Sequence, residues 1–171
     1  MTRRLRDWTA AVLLAAALIA AIVYLPGEEV EGRPVAIDGD SLRVGGREIR
    51  LYAIDAPEGR QSCERSDGSS WRCGKEAGIL LTRLATAAAV TCRGRDEDRY
   101  GRLVATCEAG GVDLGAEMVR QGMALAYRSH STVYAGAEAE ARAARRGVWA
   151  GQFEPPWAWR EKRGGRQTPS P

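Results

Sequence analysis

The chain has 171 residues, 44% of them apolar and 27% charged, which gives room for one globular core with short extensions and too little chain for two full domains. Its 25 Lys and Arg against 22 Asp and Glu leave a net charge of +3, and many of the Arg side chains sit in the first segment and the last dozen residues. The folded part is therefore nearly balanced, which argues against a surface coating a polyanion over its whole face and for a local anion site.

In chain order, Arg3, Arg4 and Arg6 precede an uncharged run from Trp8 to Leu25, rich in Ala, Leu, Ile and Val. A basic lead and an apolar stretch near the lower limit for spanning a bilayer fit either a secretory signal or a transmembrane helix. No Ala-x-Ala site closes the run, so residues 1–25 are read as an uncleaved signal anchor. Three Arg before the run, with Glu28, Glu29 and Glu31 after it, place the N-terminus inside and the domain outside the membrane. Residues 26–31 read as a linker, 32–160 as the domain, and 161–171 as a disordered tail containing Gly, Ser and Pro.

Within the domain, strands are expected at residues 35–37, 42–44 and 48–54, with a Gly45-Gly46 turn before the last, as in a β-meander. On the third strand, strict alternation would put Leu51, Ala53 and Asp55 on one face and Arg50, Tyr52 and Ile54 on the other. Pro57 then ends the pairing. Residues 59–72 read as a long loop bracketed by Cys63 and Cys73. Ala77, Leu81, Leu84 and Ala88 recur at helical spacing over residues 75–88. Residues 89–93 and 103–108 read as a hairpin, and Asp113 as the cap of a helix over 114–121 ended by Gly122. A short apolar strand at 123–127 precedes an Ala-rich helix capped by Ser131 or Thr132, supported by Glu138 and Arg142, and stopped by Gly147. Trp149, Trp157 and Trp159 are expected to pack the end of the domain.

Three stretches stand out for chemistry. Residues 35–41 read Val-Ala-Ile-Asp-Gly-Asp-Ser, residues 50–58 read Arg-Leu-Tyr-Ala-Ile-Asp-Ala-Pro-Glu, and residues 98–102 read Asp-Arg-Tyr-Gly-Arg. Together, in this order and at this spacing, they resemble the staphylococcal nuclease (thermonuclease-like) family, over roughly Gly32 to Trp149. The resemblance implies an α+β fold: a five-stranded OB-fold-like β-barrel with packed helices, here preceded by one N-terminal transmembrane or signal helix. Ser41 stands where the family pattern has Thr, Tyr52 and Ala53 replace residues that are usually small or aliphatic, and the 59–72 loop carries two Cys and a Trp that the type enzyme lacks.

Carboxylates and carbonyls select hard cations, so Asp40 and Asp55 are candidate metal ligands. The resemblance implies Ca2+ held by these two side chains and the carbonyl of Ala56. Arg50 and Arg102 can each grip two phosphate oxygens without losing a proton, and Glu58 can serve as general base toward an attacking water. The resemblance implies those catalytic roles, with DNA or RNA as substrate, and substrate contacts for Arg99, Tyr100 and Tyr127. The expected activity is a calcium-dependent, membrane-anchored, extracytoplasmic nuclease acting as a monomer. The alternative is a non-catalytic OB-fold module that binds nucleic acid or protein, for which the Glu58 base would have no use.

Four cysteines without a Cys-x-x-Cys pair and one histidine, His130, argue against a zinc site; His130 reads as a loop residue. Opposed residues of an antiparallel hairpin have a constant sum of positions, and Cys92 and Cys107 are centred on the Arg99-Tyr100 connection. They are expected to face one another and form a disulfide, with Cys63 and Cys73 stapling the long loop beside Glu58.

Overall fold

A computed structural model describes residues 27–163 and, before them, Leu14; the rest of the expected signal anchor and most of the expected tail lie outside the described residues. The linker reading stops short, because Glu29–Gly32 forms a first strand, β1, paired antiparallel with the later strand at Val90–Glu97. After it come β2 (Pro34–Ala36) and β3 (Ser41–Val44), then β4 (Arg47–Leu51). Gly45 and Gly46 both take left-handed φ values, 57° and 85°, the geometry of a tight hairpin turn whose twist matches that of its strands.

The third expected strand does not run through to Ile54. Ala53 sits at φ 58°, a left-handed conformation that turns the chain and leaves a separate two-residue strand, β5 (Ile54–Asp55). Two backbone bonds hold the break: the Tyr52 N–H donates to the Ala105 carbonyl at 2.9 Å, and the Tyr127 N–H to the Ala53 carbonyl at 2.8 Å. β5 leaves the main sheet and pairs with β11 (Leu125–Ala126).

The segment expected as a loop contains a small hairpin, β6 (Cys63–Glu64) with β7 (Ser70–Trp71), closed by the Cys63–Cys73 disulfide. Helix α1 (Cys73–Ala85) follows and buries Ala77, Leu81 and Ala85 at four-residue spacing, ending before the expected Ala88. Strands β8 (Val90–Glu97) and β9 (Leu103–Ala109) form the expected hairpin, in which Cys92 is directly opposite Cys107 and bonded to it. A short β10 (Val112–Asp113) turns into helix α2 (Leu114–Arg120), where Asp113 Oδ1 accepts the Ala116 N–H at 3.0 Å as the predicted cap.

Helix α3 (Ala135–Ala143) starts later than expected, without a side-chain cap: Ser131 Oγ instead accepts the Val133 N–H in the preceding loop. It ends before Gly147, with Arg145 taking the left-handed position at φ 50°. A 3-10 turn (Gly147–Ala150) leads to a fourth helix, α4 (Pro156–Lys162), which the sequence reading did not contain; its two leading prolines suit a helix start.

The main sheet has seven strands, in the order β1-β8-β9-β4-β3-β2 with β10 on β9. Among the described residues only β4 and β9 run parallel, so the sheet is mixed and not a simple meander. Its hydrogen-bonded path ends on β1 and β2, which are consecutive in the chain with Arg33 alone between them; the ladders do not by themselves close the expected five-stranded OB-fold-like barrel, and β5 stands apart from it, paired with β11. The α+β class holds. Leu42, Val44, Ile49, Leu81, Val90, Leu114, Met118 and Val119 are fully buried in one core between the sheet and α1 and α2. A second cluster gathers Cys63, Cys73, Leu125 and Val148 beneath Trp71, Trp149 and Phe153. Among the described residues, no helix is long and apolar enough to cross a membrane.

Candidate functional site

The site grows out of the turn between β2 and β3 and the exit of β5. Asp38 Oδ1 accepts the Asp40 N–H at 3.0 Å, and the Asp40 carbonyl accepts the Leu51 N–H at 2.8 Å. The acidic turn is thereby fixed against β4. Asp40 is 5% exposed and Asp55 fully buried, an arrangement that demands nearby partners for both charges.

Arg50 supplies them. Its Nη1 donates to Asp40 Oδ1 at 3.0 Å and its Nη2 to Asp55 Oδ1 at 3.3 Å, with the Ile54 carbonyl at 3.4 Å. Strict alternation had put Arg50 and Asp55 on opposite faces; the Tyr52-Ala53 turn brings them to the same side. Asp40 also accepts from the Ser41 hydroxyl at 3.0 Å and, through Oδ2, from the Ala56 N–H at 3.1 Å. Burial and, after it, the Asp40 charge push the Asp38 carboxyl up to about 7, the mark of negative charge crowded into a half-buried turn.

Glu58 follows Pro57 at the rim. The Gln61 side chain is fully buried and holds this exit: its Oε1 accepts the Glu58 N–H at 3.1 Å, and its Nε2 donates to the Glu154 carbonyl at 2.6 Å. The Gln61 N–H donates to the Glu58 carbonyl at 2.6 Å. Gly74 at the start of α1 lies directly on that carbonyl, where any side chain would collide with it.

Arg102 stands at the foot of β9. Asp98 locks its guanidinium at 2.7 and 2.8 Å, leaving Nη1 3.4 Å from Ser41 Oγ beside Asp40. Burial works against the Asp98 charge, but the Arg102 hydrogen bonds, helped by the Arg102 and Tyr100 N–H groups, outweigh it and hold the carboxyl below its usual range. Arg99 lies over the Tyr100 ring at 4.9 Å on the exposed β8–β9 loop. Tyr127, half-buried, stacks on His130 at 4.8 Å, with Trp157 of α4 6.1 Å away. His130 is an exposed loop residue, as expected. Trp149 packs edge-on against Phe153, whereas Trp157 is 40% exposed.

Sequence reasoning missed Arg160. From α4 it donates Nη2 to Asp55 Oδ2 at 2.7 Å and Nη1 to Asp55 Oδ1 at 3.0 Å and Glu58 Oε1 at 2.6 Å. Its hydrogen bonds to Asp55 raise its affinity for the proton further, against a smaller opposing effect of burial. The sequence signal available was Pro155-Pro156 ahead of Trp-Ala-Trp-Arg, a helix start close to the end of the domain; nothing in it named a partner more than a hundred residues away.

The donors are of the kind a hard cation takes. With the bonds above made, one lone-pair direction is left on each of Asp40 Oδ2 and Asp55 Oδ2, and Glu58 Oε2 has no partner among the described residues. No nitrogen or sulfur ligand intrudes. They are not gathered around one point, however: among the described residues no group of three or more His, Cys, Asp or Glu is placed to hold a metal. The guanidinium of Arg160 occupies the space between Asp55 and Glu58 instead.

Comparison with known proteins gives the same region prominence. Residues 48–151 match the family model for staphylococcal nuclease homologues. The chain is 35% identical over 130 residues to the succinoglycan biosynthesis protein ExoI of Rhizobium meliloti (strain 1021), covering 74% of this chain and 68% of that protein. It is 33% identical over 173 residues to Protein ParB of Escherichia coli, covering 90% of this chain and 92% of that one. It is 35% identical over 121 residues to the probable staphylococcal-like nuclease CAN1 of Oryza sativa subsp. japonica, covering 68% of this chain and 34% of that protein, so the chain spans about a third of this plant relative.

Proposed function

The chain belongs to the staphylococcal nuclease homologue family, and on that premise we propose that it is a calcium-dependent nuclease hydrolysing phosphodiester bonds of DNA, RNA or both. Family membership supports nuclease activity in general. The observation that carries the finer reading is Arg50 bridging Asp40 and Asp55 at the β5 exit that also presents Glu58, with Arg102 braced by Asp98 across Ser41.

In this reading the free hydrogens of Arg50 and Arg102 hold the non-bridging phosphate oxygens, where negative charge accumulates as water attacks. Both guanidinium groups are positioned by carboxylates before substrate arrives, so little reorganisation is needed. Glu58 takes the proton of the attacking water at Oε2. Gln61 acts as a positioning residue by fixing the Glu58 backbone on both sides. Asp40, Asp55 and the Ala56 carbonyl would hold Ca2+, which when bound would supply additional positive charge to offset that of the phosphate. Arg99, Tyr100 and Tyr127 are the proposed substrate contacts, the tyrosines offering ring faces for bases.

We place the domain outside the cytoplasm, anchored by the N-terminal helix and acting as a monomer with the OB-fold characteristic of its family. Two disulfides support the oxidising location. The test is hydrolysis of single-stranded and duplex DNA and of RNA by the domain, with calcium and with chelator. Glu58→Gln preserves shape and removes the base, so kcat should fall ~10²- to 10⁴-fold with the melting temperature little changed. Wild-type turnover in that variant would refute the assigned base, and absence of cleavage by the wild type, with nucleic acid still bound, would favour the binding module.

A further inference from the structure

Among the described residues, Arg160 is the one side chain that ties the C-terminal helix to both carboxylates of the β5 exit. We propose that its guanidinium and a divalent cation are alternative counter-charges for the Asp55–Glu58 pair, so that α4 is a latch which the cation must displace. The inference rests on reading Asp55 as a cation ligand.

The geometry is that of a made-to-measure occupant. The guanidinium takes both Asp55 oxygens and one Glu58 oxygen at 2.6 to 3.0 Å, using two of its nitrogens. Asp55 Oδ1 is then filled by Arg50 and Arg160 together. Glu58 has no other charged partner among the described residues. Removing Arg160 would leave two carboxylates facing each other with only Arg50 to offset them, which is the situation a cation relieves.

The latch is also built into the fold. The segment ahead of α4 is tied to the Glu58 exit by the Gln61 bond to the Glu154 carbonyl and by reciprocal backbone bonds between Glu64 and Gln152. The Cys63–Cys73 disulfide fixes the hairpin those bonds rest on. Yet the Arg160 side chain is 35% exposed and reaches the site from a helix of seven residues, so it can leave without disturbing the core. Apparent affinity for a ligand falls by the fraction of molecules held in the competing state.

Calorimetric titration with Ca2+ of wild type, Arg160→Gln, Arg160→Lys and Lys162→Gln provides the test. Arg160→Gln should bind calcium about five- to tenfold more tightly, Arg160→Lys should lie between it and wild type, and Lys162→Gln, which removes a charge from the same helix at Glu154, should match wild type. In wild type the Arg160 Nε–H resonance should shift with the calcium occupancy measured by heat. Equal or weaker binding in Arg160→Gln, or an equal gain in Lys162→Gln, would overturn the proposal. These outcomes do not depend on cleavage: tighter binding in Arg160→Gln with no hydrolysis by wild type would sink the nuclease reading and leave the latch standing.

Discussion

Replacing Gln61 removes the joint between the Glu58-bearing loop and the segment that leads into the C-terminal helix. Gln61→Leu keeps much of the volume but strands two groups, the Glu58 N–H and the Glu154 carbonyl, that Gln61 satisfies at 3.1 and 2.6 Å. An orphaned buried polar group costs about 1–3 kcal/mol, and both ends are only partly buried, so the sum is about 2–4 kcal/mol. For a domain of this size that is a fall of roughly 5–15 °C in melting temperature. Gln61→Glu separates the two ends. As an acid it can accept from Glu58 and donate to Glu154; as a carboxylate it sets an oxygen against the Glu154 carbonyl. Its folded pKa is therefore raised, and its stability should be near wild type at low pH and decline as pH rises above the unfolded value of about 4.3. Urea unfolding at pH 4.5 and 8 measures both variants. Midpoints within the error of wild type for Gln61→Leu, or a Gln61→Glu deficit that does not grow with pH, would refute the joint.

Two further outcomes follow from the β8–β9 hairpin. Replacing Cys92 and Cys107 together by Ala opens a loop of sequence separation 15 and should cost about 3 kcal/mol by chain entropy, read from urea midpoints. Asp98 has its folded pKa held below the unfolded value, so its contribution is present above the unfolded pKa and is lost as pH falls through the folded one; Asp98→Asn should flatten the acid limb of the stability profile and leave Arg102 without its brace.

The parts of this molecule readable from sequence are those set by neighbours. The Gly45-Gly46 turn, the Asp113 cap and the Cys92–Cys107 register each depend on a few residues whose conformational or pairing demands are strong. The Tyr52-Ala53 turn was invisible because Ala carries no signal for a left-handed φ; backbone bonds from Ala105 and Tyr127, distant in sequence, impose it. That one turn corrected both the strand and the side on which Asp55 lies. The Ser131 and Thr132 cap failed for a related reason: the hydroxyl found a nearer partner in its own loop. Of the candidate site residues, Asp40, Arg50 and Asp55 are joined by direct ion pairs, while Glu58 is joined to Asp55 only through Arg160. Arg160 was hidden because an ion pair of two distant segments leaves no periodicity in either.

The parallel pairing of β4 with β9 has a kinetic side. Ile49 meets Leu103 and Arg50 meets Val104 only after the chain has travelled through the β6–β7 hairpin, α1 and β8. Contacts of such long sequence separation carry a large loop-closure entropy and form late, whereas α1 and the β8–β9 hairpin are local. Arg50 and Arg102 sit on opposite sides of that seam, and Arg160 arrives from beyond it. Recovery of secondary structure should therefore run ahead of recovery of the site when the chain refolds, and in the newly made chain the Asp55–Glu58 pair should stand without its Arg160 counter-charge until the C-terminal helix is free to dock.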